Sequence, residues 1–244
     1  MRQPSTVDRF FEPLLAGDRK NCRQFIVEQL EATNNNVTDL YYDLLWPTMH
    51  RIDDCFRQNR ISVATEHMAT RISRSIADQL QQSLVQMPTN GKTIMITCAD
   101  DEPEELGAQM CSDLFEARGW NVYFLGGGVP MDEISQLIGQ IRPDILLIFG
   151  TKPSGVAQVR TLIDHIRSIS SNPTMNIMMS GGVFNRAEDL WKEVQADLYA
   201  PTAKEAIPMA EAAEPRKPEI RLPGVPKKRR RRRRPPLAIE PATA

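Results

Sequence analysis

The stretch Ala99-Asp100-Asp101-Glu102-Pro103-Glu104-Glu105 crowds five carboxylates into one turn. It directly follows Thr93-Ile94-Met95-Ile96-Thr97-Cys98, a short apolar run that reads as a strand. A dinucleotide-binding fold needs a G-x-G-x-x-G turn at this place to admit a pyrophosphate, and a carboxylate cluster repels one. A nicotinamide or flavin-dinucleotide enzyme is therefore disfavoured. A magnesium site of the receiver type would want a companion lysine in a late loop, and none is evident. Glycines punctuate three later turns, at Gly126-Gly127-Gly128, Gly150 with Gly155, and Gly181-Gly182. Glycine lets backbone approach a ligand closely, and it also ends strands for purely structural reasons. The four cysteines (Cys22, Cys55, Cys98, Cys111) form no C-x-x-C pair and lack zinc spacing, so they read as buried, reduced thiols. No nucleophile–base pair or metal triad is visible, and no catalysis is expected. At the far end stand Lys227, Lys228, Arg229, Arg230, Arg231, Arg232, Arg233 and Arg234. Their eight charges leave the rest of the chain at −9 within an overall charge of −1. Such a run is an electrostatic footprint for polyanions, without interleaved aromatics for base stacking.

The elements that must position these groups change period along the chain. Residues 5–86 read as a helical bundle, with stripes Cys22/Phe25/Ile26/Leu30, Tyr41/Leu45/Met49/Ile52/Phe56 and Met68/Ile72/Ile76/Leu80/Leu84. Pro47 predicts a kink, and Asn34-Asn35-Asn36 and Asn59 predict breaks. After a linker at Met87–Lys92, residues 92–210 alternate strand and helix five times. The strands are Thr93–Cys98, Asn121–Leu125, Ile145–Phe149, Asn176–Met179 and Leu198-Tyr199. The helices are Glu105–Arg118, Met131–Ile141, Val156–Ser168, Arg186–Gln195 and Lys204–Ala212. That order predicts an α/β architecture: an N-terminal helical bundle followed by a doubly wound, flavodoxin-like, parallel five-stranded sheet with helices on both faces. Ligands of such sheets bind beyond the carboxyl ends of the strands. Residues 211–244, rich in Pro, Ala and charge, are expected to be disordered. No secretion signal or apolar run of membrane-spanning length is visible, and a cytoplasmic location is expected.

Several of these segments resemble cobalamin-binding domains. Glu102-Pro103-Glu104-Glu105-Leu106-Gly107 is similar to the D-x-H-x-x-G signature after the first strand. Ser180-Gly181-Gly182 is similar to the GG turn, and Thr151 falls near the serine of S-x-L, with Pro153 in the leucine slot. Gly119–Gly126 looks like the family's second strand. In the helical half, Ile61-Ser62-Val63-Ala64-Thr65-Glu66-His67-Met68-Ala69 is similar to the "isvaqEHla" segment of cobalamin-dependent light-sensing regulators. A tryptophan stands ten positions before that Glu in the family, where this chain has Phe56. The resemblance covers about Pro13 to Ala210.

The resemblance implies cobalamin, as adenosylcobalamin or hydroxocobalamin, held between bundle and sheet domain. Phe56, Glu66 and His67 would face its upper side, with His67 as an upper cobalt ligand. Gly107, Thr151, Ser180, Gly181 and Gly182 would lie against the rest of it. Glu104 stands where the family has its lower-ligand histidine, so a different lower coordination is expected. With Glu102 for the aspartate, the carboxylate has no histidine to orient. The implied function is sensory and regulatory, with cofactor state or light altering how the two halves pack. Its partners would be a regulatory protein, nucleic acid contacted without sequence preference by the basic run, and a further copy of the chain. Two other functions stay open: a cofactor-free interaction module, and a corrinoid carrier for a methyltransferase.

Overall fold

The computed structural model describes residues 5–34, 36–99 and 105–218. In its helical N-terminal part, short polar residues begin four of the five α-helices. Ser5 caps α1 (Thr6–Leu15) through a reciprocal box with Asp8. Asp18 caps α2 (Arg19–Ala32) and Asn36 caps α3 (Val37–Leu40). Asn34 and Asn59 both take left-handed φ, of 52° and 54°, where chain breaks were expected. The kink expected at Pro47 takes the form of a π-helical turn, Tyr41–Leu45, running into α4 (Trp46–Arg57). Pro47 has no N–H to give its preceding turn, and the wider turn absorbs the loss: the amide of Trp46 donates to the carbonyl of Tyr41, five residues back. Ser62 then caps α5 (Val63–Gln81).

The apolar stripes are buried with instructive exceptions. Cys22, Phe25, Ile26, Tyr41, Leu45, Ile52, Ile72, Ile76, Leu80 and Leu84 are core residues, while Leu30 is only half-buried. Met68, read as the head of its stripe, is exposed, and Ala69 is buried in its place. Met49 and Phe56 are half-buried because they face a cavity.

The second half is a five-stranded, wholly parallel sheet of order β2-β1-β3-β4-β5. Its strands are β1 (Thr93–Cys98), β2 (Asn121–Gly126), β3 (Ile145–Phe149), β4 (Asn176–Ser180) and β5 (Leu198–Tyr199). Every residue of β3 and β4 is buried, as an almost continuously apolar sequence demands when both faces are covered. The helices are α6 (Glu105–Ala117), α7 (Met131–Ile141), α8 (Val156–Ile169), α9 (Gly182–Arg186), α10 (Leu190–Glu193) and α11 (Ala203–Ala212). The single helix expected over Arg186–Gln195 is instead two short ones. Ala187 is extended and Asp189 left-handed at φ 60°, which ends one helix and starts the next.

One hydrophobic core spans the bundle, α6, one sheet face and α11, and a second fills the opposite face with α7 and α8. Helix α6 is buried nearly all round, from Leu106 to Ala117, because it lies between the sheet and the bundle. The chain also stays packed beyond the expected end at Ala210. Asn176 Nδ2 donates to the Glu214 carbonyl (2.8 Å), the Arg216 amide to the Thr174 carbonyl (2.8 Å), and Arg216 Nε to Asp197 Oδ1 (3.0 Å). Residues 211–218 thus satisfy polar groups beside β4 and β5, and the disorder expected from 211 does not describe them. The Lys227–Arg234 run lies outside the described residues. Among the described residues, no helix is long and apolar enough to cross a membrane.

Candidate functional site

Strand order reverses between β1 and β3, and there the carboxyl ends of the strands meet the bundle. A cavity of about 450 Å³ opens at that junction. This is within the size range of small-molecule sites. Its bundle wall comes from Trp46, Met49, Ile52 and Phe56 on α4, with Val63 on α5. Its opposite wall is Leu106, Gly107 and Met110 on α6, with Phe149 at the end of β3. Trp46 meets Phe149 edge-on, with centroids 6.2 Å apart at 88°, so the two aromatic rings join the domains at the cavity's inner end. The indole Nε1 of Trp46 is buried and has no hydrogen-bond partner. A buried donor without a partner costs about 1–3 kcal/mol.

The rim is polar. Glu66 accepts a hydrogen bond from Thr70 Oγ1 (3.1 Å), and its other oxygen lies 3.7 Å from His67 Nε2. His67 is half-exposed. On α4, His50 packs against Trp46 with ring centroids 6.0 Å apart. Burial pushes the pKa of His50 down, ahead of the opposing pull of Asp53 and Asp54, so its imidazole stays neutral near pH 7. Across the opening, Arg186 of α9 donates from Nη1 to Asp53 Oδ2 (3.0 Å) and from Nη2 to the Thr151 carbonyl (2.5 Å). Arg57 Nε donates to the same Asp53 oxygen (2.9 Å). The Arg186–Asp53 pair therefore ties the loop after β4 to the bundle.

Of the residues singled out in the sequence, Phe56, Glu66, His67, Gly107, Thr151 and Gly182 line this one cavity. Glu102 and Glu104 lie outside the described residues. Ser180 and Gly181 sit behind the wall rather than on it. Ser180 is fully buried, and its Oγ has no hydrogen-bond partner. Two of the glycines are required by the chain's own packing. A Cβ on Gly107 would fall 2.3 Å from the Phe149 ring, and one on Gly181, at φ 103°, would fall 2.3 Å from the Gly150 carbonyl oxygen. A Cβ on Gly182 would meet Arg186 Nη1 at 2.7 Å, so the guanidinium lies over that glycine. Trp46, His50, Asp53, Arg57 and Arg186 were not singled out in the sequence. Their common helix face on α4 is readable from the spacing of Trp46, Met49, His50 and Asp53. Arg186, in contrast, reaches the site only through the fold.

Two family models described as B12 binding domain match this chain, over residues 6–81 and 92–208, which are the bundle and the sheet domain. The chain belongs to the B12 binding domain family. Among curated proteins it is 27% identical over 89 residues to the HTH-type transcriptional repressor CarA of Myxococcus xanthus. That stretch is 36% of this chain and 31% of the repressor, so the likeness spans about a third of the relative's length. Among solved structures, the monomethylamine corrinoid protein of Methanosarcina barkeri superimposes with a TM-score of 0.71 at 16% identity. The match covers 84% of this chain and 96% of that one, a likeness of fold.

The residues present fit a cobalamin. Apolar walls on both sides suit a flat macrocycle, and a rim of Arg57, Lys152, Arg186 and Glu66 suits its amide-bearing edge.

Proposed function

We propose that this chain is a cobalamin-binding sensory module that reports the state of its cofactor through the packing of its bundle on its sheet domain. The observation carrying this reading is that the cavity's two walls belong to different domains, α4 and α5 of the bundle on one side and α6 with the end of β3 on the other. Phe56 and Val63 line the bundle side of the cavity, and Glu66 and His67 would present a hydrogen-bonding pair to the bound group, with His67 as the candidate cobalt ligand. Cobalamin would supply a light-sensitive cobalt centre there. The protein's residues then hold the macrocycle edge, exclude water with Trp46 and Phe149, and couple its thickness to the spacing of α4 and α6. No catalysis is proposed. Output would pass to a regulatory protein or a further copy of the chain, and the Lys227–Arg234 run would add salt-sensitive, sequence-blind contact with nucleic acid.

The test is reconstitution with adenosylcobalamin and hydroxocobalamin, followed by gel filtration and absorption spectra before and after illumination. Coloured protein at one cobalt per chain supports the reading, and a spectral change on illumination supports the light input. Colourless protein overturns it in favour of a second reading, a cofactor-free interaction module. A specific observation favours that alternative: Phe149 and the Gly150 carbonyl fill the faces of Gly107 and Gly181 that a ligand would otherwise approach.

A further inference from the structure

Cations outnumber carboxylates at one side of the cavity rim, where Arg57, Lys152 and Arg186 line the opening beside Asp53. One oxygen of Asp53 serves two guanidinium groups, receiving Arg57 Nε at 2.9 Å and Arg186 Nη1 at 3.0 Å. Arg186 is about one-third exposed, as is Asp53, so solvent and ligand groups reach both. A guanidinium presents five donors in a fixed fork, and Arg186 places one on the shared Asp53 oxygen and one on the Thr151 carbonyl. A phosphate-type group offers several charged oxygens at once and is a better match. Asp53 belongs to the bundle and Arg186 to the sheet domain, so whatever takes Arg186 from Asp53 also removes this polar tie between α4 and the loop after β4.

We infer that Arg186 is the anion-binding residue of this cavity, exchanging Asp53 for the phosphodiester of the bound ligand and thereby releasing the bundle from the loop after β4. The inference rests on the cobalamin reading above, because the phosphodiester is the charged group among cobalamin's otherwise amide side chains. Arg186 then determines specificity for corrinoids that carry a nucleotide loop over those that lack one. It also makes loading itself, and not only light, a change in how the two domains are joined.

The experiment compares cyanocobalamin with dicyanocobinamide, which lacks the nucleotide and its phosphate, on the full chain and on Arg186→Gln and Asp53→Asn. Arg186→Gln is expected to weaken cyanocobalamin about tenfold or more and to change cobinamide less than about twofold. Asp53→Asn, which removes the competing carboxylate, is expected to tighten cyanocobalamin about threefold. Arg186→Lys keeps the charge without the fork and should fall between, and it replaces Arg186→Gln should that variant not fold. Equal losses for both corrinoids, or no loss for cyanocobalamin, overturn the inference. If neither corrinoid binds the unaltered chain, the cofactor reading fails separately. Inorganic phosphate alone then tests the rim. Phosphate should speed hydrogen exchange at the α4 amides of the unaltered chain and leave Arg186→Gln unchanged, and an equal response in both overturns the assignment.

Discussion

The bundle meets the sheet domain along two stretches built on opposite principles. Near the middle of α6 the contact is closed. Tyr41 from the π turn, Ala77 from α5 and Asp113 from α6 are all buried, and the Tyr41 hydroxyl lies 2.9 Å from Asp113 Oδ2 and 3.1 Å from the Ala77 carbonyl. At the amino-terminal end of α6 the same two layers part around the cavity, with Trp46 Nε1 unsatisfied and charged residues at the rim. On the function proposed above, the closed stretch would act as a fixed joint and the open stretch would respond. A ligand entering the open side would then change the angle between the layers without separating them.

The largest contrast is expected from truncating one residue on each side. Leu44, fully buried in the π turn, and Met49, facing the cavity five residues later, lie on one continuous helical run. Leu44→Ala should cost about 3 kcal/mol in urea unfolding, and Met49→Ala about 1 kcal/mol, because one leaves a new void and the other enlarges an existing opening. Equal costs would remove the distinction between the two stretches.

A similar effect is expected from pH at the closed joint. Burial raises the pKa of Asp113 from 3.8 to about 6, opposed by its hydrogen bond to Tyr41 and reinforced by the nearby charges of Asp78 and Glu116. The Tyr41 phenol has one proton and two acceptors, and a protonated Asp113 resolves the conflict. The Tyr41 hydroxyl donates to the ionised carboxylate, whereas a protonated Asp113 would donate to Tyr41 and leave the hydroxyl to the Ala77 carbonyl. Between about pH 4 and 6 the folded state holds a proton that the unfolded state has released, so stability falls as pH rises through that window. The total loss is on the order of 3 kcal/mol, fully developed by pH 7. Asp113→Asn should flatten that slope, and a variant as steep as the unaltered chain would contradict the protonated joint.

Much of this arrangement is readable in the sequence, and its limits have physical causes. The strands β1 and β3 and the helix α7 fall where the apolar periods put them, since burial on both faces or one leaves an unambiguous pattern. Glu66 and His67 were identifiable from a local segment whose neighbours lie on the same helix. Arg186 was not, because its partners Asp53 and Thr151 are 133 and 35 residues away in the chain. Gly107 and Gly181 drew attention for the right property and a different reason, since their missing side chains make room for the chain itself.

Smaller effects separate the two stretches further. Gly107→Ala forces the Phe149 ring aside, into the cavity, and should cost about 2 kcal/mol while weakening corrinoid binding. Adding Phe149→Leu should recover part of both losses, measured by urea unfolding and by titration. Trp46→Phe removes the stranded indole donor together with some apolar contact, so ligand-free stability should change by less than about 1 kcal/mol. Corrinoid binding, titrated alongside, should change little, because the indole N–H is buried away from the cavity.

Hydrogen–deuterium exchange of the full chain, with and without hydroxocobalamin, tests the division between the two stretches most directly. The account predicts altered exchange in α4 and in the first turns of α5 and α6, with the amides around Ala77 and Asp113 unchanged. Uniform protection across both stretches, or no change in α4 in a chain shown to carry cobalt, would contradict it.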